Sequence, residues 1–134
     1  MPLIAVAKSR RGGILRAMSL LDVGQLAALY DLAGPQVGDL LDDYARSTSE
    51  ALSKLAGLVA GEEAVELVHE VRGASATMGM AALEGKLGEL EGRLRGGQAP
   101  NPADLQQMML LLAESIAAVT SRLADGGTGE SPGD

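Results

Sequence analysis

A chain of 134 residues with no cysteine is the size of one domain and carries neither disulfide staples nor thiolate chemistry. Its net charge of −7 argues against non-specific nucleic-acid binding, and no apolar run approaches the roughly 20 residues that span a bilayer. With two tyrosines, no Phe and no Trp, the core must come from Leu, Val, Ala and Met, which suits packed helices better than a sandwich or barrel.

The absence of cysteine fits a reducing compartment, and a cytoplasmic monomer is expected. Residues 1–21 carry Lys8, Arg10, Arg11 and Arg16 with no acid, whereas the rest of the chain has 18 acids against 7 bases. The segment reads first as a flexible basic extension, with Met18-Ser19-Leu20-Leu21-Asp22 as a natural domain start. A basic arm docking on an acidic surface and an Arg-rich transit-type leader are the other readings. Leu3 to Ala7 is too short for a signal-peptide core.

The first helix is expected to start at Asp22, with Gln25 completing a capping-box pattern and Val23, Leu26, Ala27 and Tyr30 at helical spacing. Gly34-Pro35 stops it. The second opens at Pro35 and presents Val37, Leu41, Tyr44, Thr48, Ala51, Leu55 and Leu58, widened by Leu40 and Leu52. These steps of four and three residues form a bundle seam, and Gly61 ends the helix.

The third helix follows with almost no loop. Glu62 and Glu63 complement its N-terminal dipole, Ala64, Val68, Val71, Ser75 and Met78 form its seam, and Gly79 stops it. The fourth runs from Met80 to Arg95 on Leu83, Leu87, Leu90 and Leu94. Gly85, Gly88 and Gly92 occupy the other side, each costing about 1 kcal/mol against alanine, and read as a weakly stable outer face. After Gly96-Gly97, Asn101 caps a fifth helix with Pro102 and Asp104 in its first turn. Its expected face is Leu105, Met108, Leu112, Ile116, Val119 and Leu123, and residues 126–134 read as a disordered tail. The fold class expected is all-α: an antiparallel up-down-up-down four-helix bundle over residues 22–125, with an additional short N-terminal helix.

His69 is the sole histidine. At about 100° per residue it lies roughly 140° from the seam of its own helix, and so faces solvent. Its surface neighbours are Glu62, Val65 and Glu66 before it and Arg72, Gly73 and Ala76 after it. A neutral imidazole is a nucleophile, and attack on phosphorus gives an N-phosphorylated ring. Arg72 offsets the arriving charge with paired donors suited to phosphate oxygens, and Gly73 leaves room for a second protein.

At these residues the sequence resembles the histidine phosphotransfer (HPt) domain family, whose motif is His-x-x-Lys-Gly-Ser-Ser followed by an aliphatic residue and a glycine. His69 matches the phosphoacceptor, Gly73 the access glycine, Ser75 the second small polar position and Met78-Gly79 the helix end. Ala81, Leu83 and the Leu87-x-x-Leu90-Glu91 run resemble the family's following helix. Arg72 stands where lysine is usual, and Ala74 replaces the first serine. The resemblance implies a phosphoryl carrier of a two-component phosphorelay, without kinase activity, that passes phosphate between receiver-domain aspartates or takes it from a histidine kinase. Mg²⁺ is then expected on the partner receiver, with no cofactor on this chain, and Val65, Glu66 and Ala76 are the candidate docking residues.

The main rival is a phosphorylation-inert HPt-like bundle that binds receivers as an adaptor. A di-metal centre is disfavoured: Glu66-x-x-His69 is a single Glu-x-x-His step, on the outside of its helix. No calcium loop and no strand–turn–helix nucleophile motif is present.

Overall fold

The computed structural model describes residues 20–124. The basic extension up to residue 19 and the tail from residue 125 lie outside the described residues. The described chain is all-helical: α1 (Val23–Ala33), a 3₁₀ turn (Gly34–Gln36), α2 (Val37–Leu55), α3 (Glu62–Thr77), α4 (Ala81–Arg95) and α5 (Pro102–Ala124). No strand occurs among the described residues, and no helix among them is long and apolar enough to cross a membrane. Contacts join α2 to α3, α3 to α4, α4 to α5 and α5 back to α2, so these four helices close around one core.

Leucine dominates that core. Leu52, Leu55, Leu83, Leu87 and Leu90 are almost wholly buried, with Met80 and Met108 filling space between helices. The α3 seam is buried at every position expected: Ala64, Val68, Val71, Ser75 and Met78. On α5 the buried row is Leu105, Met108, Leu112, Ser115 and Val119, while Ile116 and Leu123 are only partly covered. Among the described residues the Ser115 hydroxyl has no hydrogen-bond partner. Leu20 and Leu21 also belong to the core, two residues before the expected start of the domain.

Several local expectations need correction. The α1 face that packs inward is Leu26 and Leu29; Val23 and Ala27 lie outward, and Tyr30 is half-buried. In a helix of 11 residues two adjacent rows are nearly equivalent, and tertiary contact chose the other one. Leu40 does not widen the α2 seam, since it is 39% exposed. Pro35 sits in the 3₁₀ turn rather than in α2. The second helix also stops earlier than Gly61. Past Leu55 the hydrogen bonds tighten to three-residue spacing, with Ala56 N–H donating to Ser53 O, Gly57 to Lys54 O and Leu58 to Leu55 O. Residues 56–61 therefore form a true loop between α2 and α3.

Both ends of the site-bearing helix pair are pinned. The Asp22 carboxylate accepts from Gln25 N–H at 3.0 Å and caps α1. Gln25 does not close the box onto Asp22; its amide donates to Thr77 O at 3.0 Å, at the end of α3. Asp22 N–H donates to Gly79 O at 2.8 Å. Gly79 has φ +74°, and a Cβ there would lie 2.8 Å from Leu26 Cγ, so this turn needs glycine for both conformation and space. At the other end Asn101 caps α5 through Ala103 N–H at 2.8 Å, and Arg93 bonds Asp104 at 2.6 Å.

Candidate functional site

Burying the seam of α3 forces His69 outward, and its side chain is 71% exposed. The imidazole is nevertheless tethered. Its Nδ1 lies 3.2 Å from Oε2 of Glu91 on α4. Glu91 continues the Leu83–Leu87 row by one more turn, which places a carboxylate at the edge of the core with only 7% of its side chain exposed. A buried carboxylate is costly unless paired. Here the pairing is dense: Arg95 Nη2 donates to Oε2 at 2.6 Å and Arg72 Nη1 to Oε1 at 3.3 Å. The Arg95 hydrogen bond, foremost, holds the Glu91 carboxyl below the usual carboxylate range; burial pulls the other way, and Arg72 and His69 add to the lowering.

An ionised carboxylate only accepts, so the hydrogen of the Nδ1 contact belongs to the ring. In the neutral imidazole that fixes the tautomer, with the lone pair at Nε2. Nε2 has no partner among the described residues, so it is the ring atom open to chemistry. His69 opens onto a shallow depression of about 640 Å³ bordered by Lys54, Glu62, Glu66, Glu70 and Arg95. Its charged rim is mixed, and Lys54 is loosely paired with Glu63 at 3.6 Å.

Arg72 does not border that depression. Its Nε donates to Glu84 Oε2 at 2.9 Å while Nη1 holds Glu91, so the guanidinium is clamped against α4. Glu84, and after it Glu91, raises the Arg72 pKa further above its ordinary value. Gly88 makes room for the clamp: a Cβ there would stand 3.2 Å from Arg72 Cζ and 3.3 Å from Nε, so the guanidinium would have to give by a few tenths of an ångström. Gly88 therefore makes a notch for Arg72, whereas nothing lies within 4 Å of a Cβ at Gly85 or Gly92.

Gly73 is exposed, with nothing within 4 Å of an added Cβ, so the surface one turn beyond His69 is clear. Val65 is half-buried, and Glu66 and Ala76 are exposed on the same helix. Ser75 is separate from this group. It is fully buried, and its Oγ shares a 2.7 Å hydrogen bond with the Tyr44 hydroxyl on α2, whose pKa burial pushes up. Gly79 belongs to the turn with α1.

The sequence pattern brought His69, Arg72 and Gly73 into view but passed over the residues that join them. Glu91 enters only as part of a helix resemblance, Arg95 only as a helix end and Gly88 only as part of a weakly stable outer face, while Glu84 does not enter at all. One signal was present: Glu91 stands four residues after Leu87 and four before Arg95, a charge on a leucine row with a cation one turn on. Comparison with protein-family profiles, with curated proteins and with solved structures found no match to this chain.

Proposed function

We propose that this chain is a histidine phosphotransfer protein that carries a phosphoryl group on Nε2 of His69. The observation that carries the reading is an exposed imidazole whose Nδ1 is tied to a buried, ionised carboxylate while Nε2 has no partner among the described residues. In the transfer, the Nε2 lone pair attacks phosphorus of an aspartyl phosphate on a receiver domain. The P–O bond to the aspartate breaks, and the released carboxylate keeps the electron pair. The ring becomes a positively charged phospho-imidazolium, and Glu91, already at its Nδ1–H, stabilises that charge. The reverse steps return the group to a second receiver.

In this reading the receiver supplies Mg²⁺ and the acidic pocket, and this chain supplies the nucleophile, the clear surface at Gly73 and nearby cations. Arg95, on the same carboxylate oxygen as His69 and on the rim of the same depression, is one of those cations. The chain would carry no kinase activity of its own. The scaffold is read as an up-down-up-down four-helix bundle of α2 to α5 with α1 added across one end. Side-chain pairs support opposed neighbours: His69–Glu91 and Arg72–Glu84 between α3 and α4, and Tyr44–Ser75 and Lys54–Glu63 between α2 and α3.

One observation favours a second reading, an inert adaptor that binds receivers. Arg72 is already satisfied by two carboxylates, so it is not poised to meet a phosphate. Incubation with a receiver phosphorylated on its aspartate separates the two. The carrier reading expects acid-labile, base-stable label on the wild type and none on His69→Gln. Receiver binding without label on the wild type would establish the adaptor instead.

A further inference from the structure

We infer that Glu84 restrains Arg72 and thereby sets how strongly His69 holds a phosphoryl group; the inference rests on the phosphotransfer reading. Arg72 lies three residues beyond His69 on the same helix surface, within reach of a group on that ring. Its guanidinium is held on α4 by two carboxylates at once, Glu84 at 2.9 Å and Glu91 at 3.3 Å, and it rests in the notch left by Gly88. Of these two, Glu91 is occupied on all sides, with His69 and Arg95 on its other oxygen. Among the described residues the Glu84 carboxylate has Arg72 as its sole partner, and it is 32% exposed. Glu84 is thus the bond that Arg72 exchanges when a stronger anion arrives nearby.

A phosphoryl group on His69 adds about two negative charges and three acceptor oxygens. It competes with Glu84 for the same guanidinium. Every unit of free energy that Glu84 spends on Arg72 is withheld from the phosphorylated state. Glu84 is a positioning residue in this scheme: it touches neither the phosphoryl group nor the ring. Partly exposed ion pairs set the scale, so releasing Arg72 shifts the equilibrium by up to about fivefold.

The test equilibrates the full chain with a phosphorylated receiver domain and measures the fraction of label on His69. Glu84→Gln is expected to raise the ratio of phosphorylated to free protein about two- to fivefold. The effect must run through Arg72, so Glu84→Gln must change nothing in an Arg72→Gln background. Glu89→Gln removes the same charge from the same helix, away from Arg72, and is expected to leave the ratio near the wild-type value. Equal effects of Glu84→Gln and Glu89→Gln, an effect that persists without Arg72, or no effect at all would each overturn the restraint. A parallel incubation with phosphoramidate, whose P–N bond breaks with release of ammonia as the Nε2–P bond forms, reports on the nucleophile alone. Wild type that takes label from neither donor overturns the phosphotransfer reading and this inference with it. Labelled wild type with an unmoved Glu84→Gln overturns this inference only.

Discussion

Three glycines of α4, replaced one at a time by alanine, separate an open helix face from an occupied one. A glycine in a helix interior costs about 1 kcal/mol relative to alanine. At Gly85 and Gly92 an added Cβ has nothing within 4 Å, so each substitution should return the full amount. The two sites share no neighbours, and the pair should give about 2 kcal/mol together. At Gly88 the added methyl would sit 3.2 to 3.4 Å from three guanidinium atoms of Arg72. Arg72 would then have to withdraw by a few tenths of an ångström, at the expense of its 2.9 Å bond to Glu84 or its 3.3 Å bond to Glu91. The helix gain of about 1 kcal/mol should be largely cancelled. Urea melts read this directly as midpoint shifts at constant slope, and thermal melts should show about 4 °C per kcal/mol for a domain of this size. Gly88→Ala stabilising as much as Gly85→Ala would refute the seating of Arg72. Loss of stability at Gly85 or Gly92 would refute the openness of that face.

Glu91→Gln should change the acid limb of the stability profile. The folded carboxyl lies below its ordinary range, so its contribution is present above the unfolded value near pH 4.3 and is lost as pH falls through the folded one. Urea stability followed from pH 6 to pH 3 should therefore fall less steeply in Glu91→Gln, and an unchanged slope would count against the pairing. Tyr44→Phe leaves the Ser75 hydroxyl buried without its 2.7 Å partner and should cost about 1–3 kcal/mol. Adding Ser75→Ala should restore part of that loss, and strict additivity in the double-mutant cycle would show that the two hydroxyls do not interact. Ser115→Ala removes a buried hydroxyl that lacks a partner among the described residues and improves helix propensity; a stability gain of about 1 kcal/mol in urea melts is expected.

The long helices were legible because their apolar periodicity is strong. The α3 row from Ala64 to Met78 is legible at every position, and with it the outward direction of His69. Failures came where a neighbour decides. Leu58 continues the heptad rhythm of α2, but the backbone tightens at Leu55 and the rhythm runs on past the helix. The leucine row and Arg95 mark Glu91 from within α4, but no pattern internal to α4 reveals that Arg72 is brought against it from α3. Gly88 looks like its two neighbours for the same reason: its significance is the volume of a side chain on another helix. Periodicity reports which way a residue points, but not what meets it there.

The junction of Asp22, Leu26 and Gly79 also sets a phase. α3 is clamped at its C-terminal end, because the Gly79 carbonyl accepts from Asp22 N–H and the Thr77 carbonyl accepts from the Gln25 amide. His69 stands ten residues before that clamp, about 15 Å along the helix. A single residue inserted between them would turn His69 by about 100° around the helix and carry it off Glu91, while the hydrophobic content of the chain hardly changed. An insertion of four residues would nearly restore the angle but raise the imidazole by about 6 Å. The spacing between the histidine and its glycine is therefore a dial with few usable settings, fixed from the far end by the helix that precedes the bundle.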